Sequence, residues 1–160
     1  MKIKTEYRNF RTETKASNTG TTVGGYAAVF NQQTDMGSFI ESIEPGAFDE
    51  ADLSDVRLLY NHDGVPMARS SAGTLSLMVD DYGLRYIAAL SDTELARQIA
   101  DSARRGDISQ SSFAFTIESQ RWEETGGKLH RIIERVGMVT DVSPVSFPAY
   151  SGTEFHVVEA

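Results

Sequence analysis

The chain has 160 residues, of which 40% are hydrophobic and 24% charged, with a formal net charge of -8, three histidines and no cysteine. That size and composition suit a single domain over residues 1–160, and the acidic balance argues against nucleic-acid binding, which needs a basic surface to displace condensed counterions. Without cysteine there are no disulfides, thiolate metal sites or thiol nucleophile; no apolar run is long enough to span a bilayer and Met1-Lys2-Ile3-Lys4-Thr5-Glu6 is no secretory leader, so a soluble intracellular protein without a membrane partner is expected.

Residues 1–20 are polar and end in Ser17-Asn18-Thr19-Gly20, which predicts a strand with a frayed or hairpin-like exit, flexible like the far end at 151–160. Val23 to Phe30 reads as an apolar strand whose paired Gly24 and Gly25 suggest a bulge. Phe39 to Ile43 alternates like a short strand, and Pro45 suits the first turn of a short helix carrying Ala47 and Phe48. Val56 to Tyr60 is strand-like, and Asn61-His62-Asp63-Gly64 ends it with turn chemistry. Thr74 to Met78 and Leu84 to Leu90 alternate in period two around Asp80-Asp81-Tyr82-Gly83, the pattern of a hairpin.

One long helix follows. Ser91 and Glu94 form a capping box, Leu95, Ile99 and Ala103 recur at four-residue spacing beside Ala96 and Ala100, and Gly106 supplies the stop. Three more strands are predicted around Ser112 to Ser119, His130 to Val136 and Met138 to Val145, with Gly126-Gly127 turning between the first two. Seven or so short strands, one helix and no βαβ alternation predict an α+β protein built on a mostly antiparallel sheet or barrel with helical decoration.

Few groups can do nucleophilic chemistry. Ser112 shares a strand face with Ala114 and Thr116, opposite Phe113, Phe115 and Ile117, so a small polar face lies over an apolar support. Serine-rich strand starts are common, so Ser109, Ser111 and Ser112 equally suit a purely structural part. His62, at a strand terminus, has the chemistry of a base, and also that of a solvated turn residue; His130 and His156 read as ordinary strand and tail residues. Asp141, inside the near-continuous apolar run Val139 to Val145, is costly to bury without a partner, unless it faces water at an edge; Glu134 is the runner-up for the same part.

Rival chemistries are weaker. His62-Asp63 with Asp35 or Asp80-Asp81 offers metal ligands at no recognisable spacing, and Asp80-Asp81 reads better as a solvated hairpin tip. Glu118, Glu123, Glu124 and Glu134 present no singled-out pair for glycosidase-type chemistry. A small-molecule serine esterase would need a Gly-x-Ser-x-Gly elbow, which Gly106 to Phe115 does not supply. No cofactor or metal is expected.

Five segments in order, Gly24 to Asn31, Glu44-Pro45-Gly46-Ala47-Phe48, Leu59-Tyr60-Asn61-His62-Asp63, Gly106 to Phe115 and Asp141 to Tyr150, resemble the prohead (capsid maturation) protease family of HK97-type tailed phages. The resemblance implies a serine peptidase related in fold to the herpesvirus assembly protease, a β-barrel surrounded by helices. It places the family's histidine on His62, its serine on Ser112 and its acidic residue on Asp141, where many relatives have Glu. Gln110-Ser111 stands where a Gly-Met-like pair is commoner, which keeps Ser111 as a second nucleophile candidate. The implied substrates are the scaffolding segment of the major capsid protein and the enzyme's own flanking propeptide, cut in the host cytoplasm inside the assembling procapsid. A homo-oligomer is expected by the same analogy. The oxyanion donors are expected between Ser143 and Ser146. The rival from another class is an inactive assembly or scaffold-binding protein of the same fold.

Overall fold

The computed structural model describes residues 6–10, 20–147 and 156–157, so Ser17-Asn18-Thr19, the Pro148-Ala149-Tyr150 end of the last motif and most of both termini lie outside the described residues. Two sheets account for the fold. The larger holds β1 (Glu6–Phe10), β9 (Ser111–Thr125), β10 (Lys128–Pro144), β4 (Phe39–Ile43) and β3 (Thr34–Asp35) in that order, with β5 (Arg57–Tyr60) pairing β10 and β6 (Asp63–Arg69) pairing β5. The smaller runs β11 (His156–Val157), β2 (Thr22–Val29), β8 (Gly83–Ala89), β7 (Leu75–Val79). β10 pairs β4 and β5 in parallel, and the other strand pairings are antiparallel.

The β9–β10 hairpin is the spine of the molecule. Gly126 and Gly127, with φ of 60° and 79°, make the two-residue turn, whose geometry needs positive φ at both positions. The strands expected at His130 to Val136 and Met138 to Val145 are one continuous β10, bent by register shifts between Ile133 and Asp141. Gly137 sits inside it because a Cβ there would stand 2.8 Å from Thr116 Oγ1, so this glycine serves a close approach and not a chain break. The bend lets Leu129 to Ile133 pair with β4 while Asp141 and Val142 pair with β5.

Helix α1 (Glu94–Arg105) buries Ala96, Ile99, Ala100 and Ala103, one stripe at i, i+3, i+4 and i+7, while Leu95 is exposed. Its cap is Thr93, whose Oγ1 accepts the Ala96 N–H at 3.2 Å, in place of the expected Ser91; Gly106 ends it at φ 81°. The helix expected after Pro45 is absent. Gly46 at φ 90° lies outside helical space, and Glu44 to Ala51 instead forms consecutive turns that still bury Ala47 and Phe48.

The core lies between the sheets. Phe113 and Phe115 stack at 4.2 Å with Phe48 and Phe30 beside them, against Val23, Ala27, Leu84 and Tyr86 from the smaller sheet. Among the described residues neither sheet closes on itself and α1 is the one α-helix. The expected barrel with surrounding helices is thus corrected to two mostly antiparallel sheets and a single helix. Closure needs hydrogen bonds between edge strands, and β1, β3 and β6 on one sheet, β7 and β11 on the other, are not so joined.

Gly83 marks a close approach between β8 and β2, since a Cβ there would stand 1.9 Å from the Ala28 carbonyl oxygen. Both groups are backbone and cannot swing aside. Gly83→Ala is expected to lower stability by about 2–3 kcal/mol, read as a drop in the urea midpoint at constant slope. An unchanged midpoint would mean that these strands separate at little cost.

Candidate active site

Strand alternation and register assemble the site before any side-chain distance is considered. On β9–β10, Ser112 lies opposite Ser143 and Ala114 opposite Asp141, so Ser112, Asp141 and Ser143 project from one face. Beside that face, β5 and β6 form a hairpin that the sequence pattern missed, with Tyr60 paired to Asp63 and Asn61-His62 as its two turn residues. Both have positive φ, 51° at Asn61 and 60° at His62, as a primed two-residue hairpin turn requires. Asn suits this conformation and His tolerates it better than most residues.

The turn is tied down along its length. The Asn61 N–H donates to the Pro144 carbonyl at 3.0 Å, and Asn61 Oδ1 accepts the Ser146 N–H at 2.9 Å. The Tyr60 and Ser146 hydroxyls share a hydrogen bond. His62's own N–H donates to Ser143 Oγ at 3.3 Å. These contacts swing the imidazole over the β9–β10 face.

His62 Nε2 then lies 2.8 Å from Ser112 Oγ, and His62 Nδ1 lies 2.6 Å from Asp141 Oδ1. A carboxylate only accepts, so Nδ1 carries the proton and the Nε2 lone pair faces the serine hydroxyl. Ser143 Oγ–H donates to the same Asp141 Oδ1 at 2.9 Å. The Ser112 residue is fully buried, and the His62 and Asp141 side chains are 16% and 10% exposed, so the three groups interact with little screening by water. The polar face expected to give access to Ser112 is therefore covered.

The other expected residues fall elsewhere. Ser111 projects from the opposite face of β9, where its hydroxyl meets the Tyr86 hydroxyl at 2.8 Å in the core. Glu134 lies on the far half of β10 with Ser119 and Arg121. His130 Nε2 bonds Ser42 Oγ at 2.9 Å, and His156 sits opposite Gly24 in the short β11–β2 pairing. Asp35 takes Lys128 and the Gly37 N–H, which hold its carboxyl below the ordinary range. Asp80 is more than a solvated tip. Burial pushes its carboxyl up, but the Tyr26 hydroxyl and the Gly83 and Tyr82 N–H groups hold it below the ordinary range overall. Among the described residues no cluster of three or more His, Cys, Asp or Glu is arranged to hold a metal ion, and no helix is long and apolar enough to cross a membrane.

In the stretch expected to supply oxyanion donors, the positions after Ser143 have no free N–H. Pro144 has no N–H, the Val145 N–H donates to the Gln110 carbonyl at 3.1 Å, and the Ser146 N–H is held by Asn61. Ser143 and Asn61 are the supporting residues that sequence reasoning missed. The available signal was the Asp141-x-Ser143 spacing, which puts both side chains on one strand face.

No curated protein and no solved structure matches the chain. A family model described as caudovirus prohead serine protease matches residues 8–160, nearly the whole length and inclusive of every residue in the hydrogen-bonded line from Ser112 to Asp141. The chain belongs to the caudovirus prohead serine proteases, the enzymes of capsid maturation.

Proposed function

We propose that Ser112 is the nucleophile, His62 the general base and Asp141 the carboxylate that orients and stabilises the imidazole. The observation that carries this reading is the unbroken line from Ser112 Oγ through both ring nitrogens of His62 to Asp141 Oδ1, at 2.8 Å and 2.6 Å. Ser112 Oγ attacks the peptide carbonyl carbon while its proton passes to His62 Nε2. The tetrahedral intermediate collapses with cleavage of the C–N bond, and the imidazolium returns the proton to the leaving amine. Water then attacks the acyl-serine by the same proton route. Backbone N–H groups outside the committed Val145–Ser146 stretch stabilise the oxyanion, each worth about 3 kcal/mol of barrier.

The substrates in this reading are the scaffolding segment of the major capsid protein and the enzyme's own flanking sequence, both met inside the assembling shell. Enclosure raises the effective concentration of chain and substrate without improving any contact. The complete burial of Ser112 supports a resting state that must open before a peptide enters. Co-expression with the capsid protein tests the reading: shells containing the wild-type chain are expected to carry capsid protein shortened by its scaffolding segment, seen by intact mass. Shells that form with the chain inside and keep full-length capsid protein would favour the inactive assembly protein instead.

A further inference from the structure

The Ser143 hydroxyl closes a circuit around the histidine. It is fully buried, and a buried hydroxyl needs directed partners. Its proton goes to Asp141 Oδ1 at 2.9 Å, and its oxygen accepts the backbone N–H of His62 at 3.3 Å. The same Asp141 Oδ1 takes the Nδ1–H of the His62 ring at 2.6 Å. Backbone and ring of His62 are thereby tied to one carboxylate oxygen, the first through Ser143 and the second directly.

Each contact removes a different freedom. The hydrogen bond to Oδ1 fixes the rotation of the Asp141 carboxylate, so that oxygen stays in line with Nδ1. The bond from the His62 N–H holds that residue in the left-handed region, at φ 60°, where a side chain larger than hydrogen is disfavoured. A ring on a two-residue turn would otherwise move with the turn, and a displacement near 1 Å is enough to break a catalytic alignment. Ser143 lies opposite Ser112 across the β9–β10 ladder, so the same strand pairing that carries the nucleophile also carries this brace.

We infer that Ser143 is a positioning residue of the peptidase, holding His62 on Ser112 through Asp141 and through the turn backbone. The inference rests on the assignment of Ser112, His62 and Asp141 above. It touches neither substrate nor the bond that is cut, so its loss should act on turnover and not on substrate affinity.

The test uses Ser143→Ala and Ser143→Cys in the full chain; the thiol keeps the shape of the side chain but is a weak donor and acceptor. Both are expected to lower kcat by about 10- to 100-fold, the range for losing a hydrogen bond to a charged group, with KM unchanged. In the proton spectrum, the His62 Nδ1–H resonance is expected to persist in Ser112→Ala and to shift or broaden in both Ser143 variants. If Ser143→Ala does not fold, Ser143→Cys decides. Wild-type kcat in either folded variant, or an unmoved Nδ1–H resonance, would overturn the inference. A failure of the underlying assignment would show differently, as continued cleavage by Ser112→Ala.

Discussion

Ser112→Ala is expected to lower kcat for peptide cleavage by about 10⁶-fold, with KM nearly unchanged and stability lower by about 1 kcal/mol. The size follows from the arrangement: Ser112 Oγ lies 2.8 Å from His62 Nε2, and the chain has no thiol to substitute for it. What survives is the contribution of substrate binding and oxyanion donors. Removing a fully buried hydroxyl leaves a small space and little strain, so the fold should persist. Ser111→Ala is the matched control. Its hydroxyl bonds Tyr86 on the other face of the strand, so its loss should cost about 1 kcal/mol of stability and leave turnover intact. The reverse pattern, an active Ser112→Ala and an inactive Ser111→Ala, would move the nucleophile by one residue and onto the opposite face of β9.

Asp141→Asn is expected to lower kcat by about 10⁴-fold, again at nearly constant KM. The change conserves shape, so the loss is electronic. A carboxylate can only accept from Nδ1–H, which leaves Nε2 free to take the serine proton. An amide nitrogen turned toward Nδ1 donates instead, and the proton moves to Nε2, where it blocks the base. An amide oxygen turned toward Nδ1 keeps the tautomer but stabilises the imidazolium far less. Full activity in Asp141→Asn would remove the carboxylate from the mechanism. Glu134, bonded to Ser119 and Arg121 on the distant half of β10, could not take its place without rebuilding the sheet.

Local patterns disclosed the parts of this molecule whose shape is set by near neighbours in sequence. The β7–β8 hairpin, the Gly126-Gly127 turn and the buried stripe of α1 each follow from alternation, helical spacing or a positive-φ requirement. Ser112 and Asp141 were legible as an exceptional hydroxyl and an exceptional carboxylate on apolar strands. The parity that puts them on one face depends on the β9–β10 register, which long register shifts obscure.

The illegible parts depend on distant partners. β6 begins Asp63-Gly64-Val65-Pro66, exposed throughout, and shows no apolar alternation because it is an edge strand with one neighbour. The parallel pairings of β10 with β4 and β5 join segments about eighty to ninety residues apart, and nothing in either segment names the other. Gly137 resembles a terminator until Thr116 is seen against it. The burial of Ser112 was hidden for the same reason: strand alternation gives the face on which a side chain lies, but not what covers that face.

If Ser112 reacts because His62 withdraws its proton, a fluorophosphonate should label it in shells where capsid protein is being cut. Peptide mapping is predicted to find a single phosphonylated serine, Ser112, with labelling lost in His62→Ala. An adduct on Ser111 or Ser143, or labelling of Ser112 that proceeds undiminished without the His62 ring, would rule out a Ser112–His62 pair.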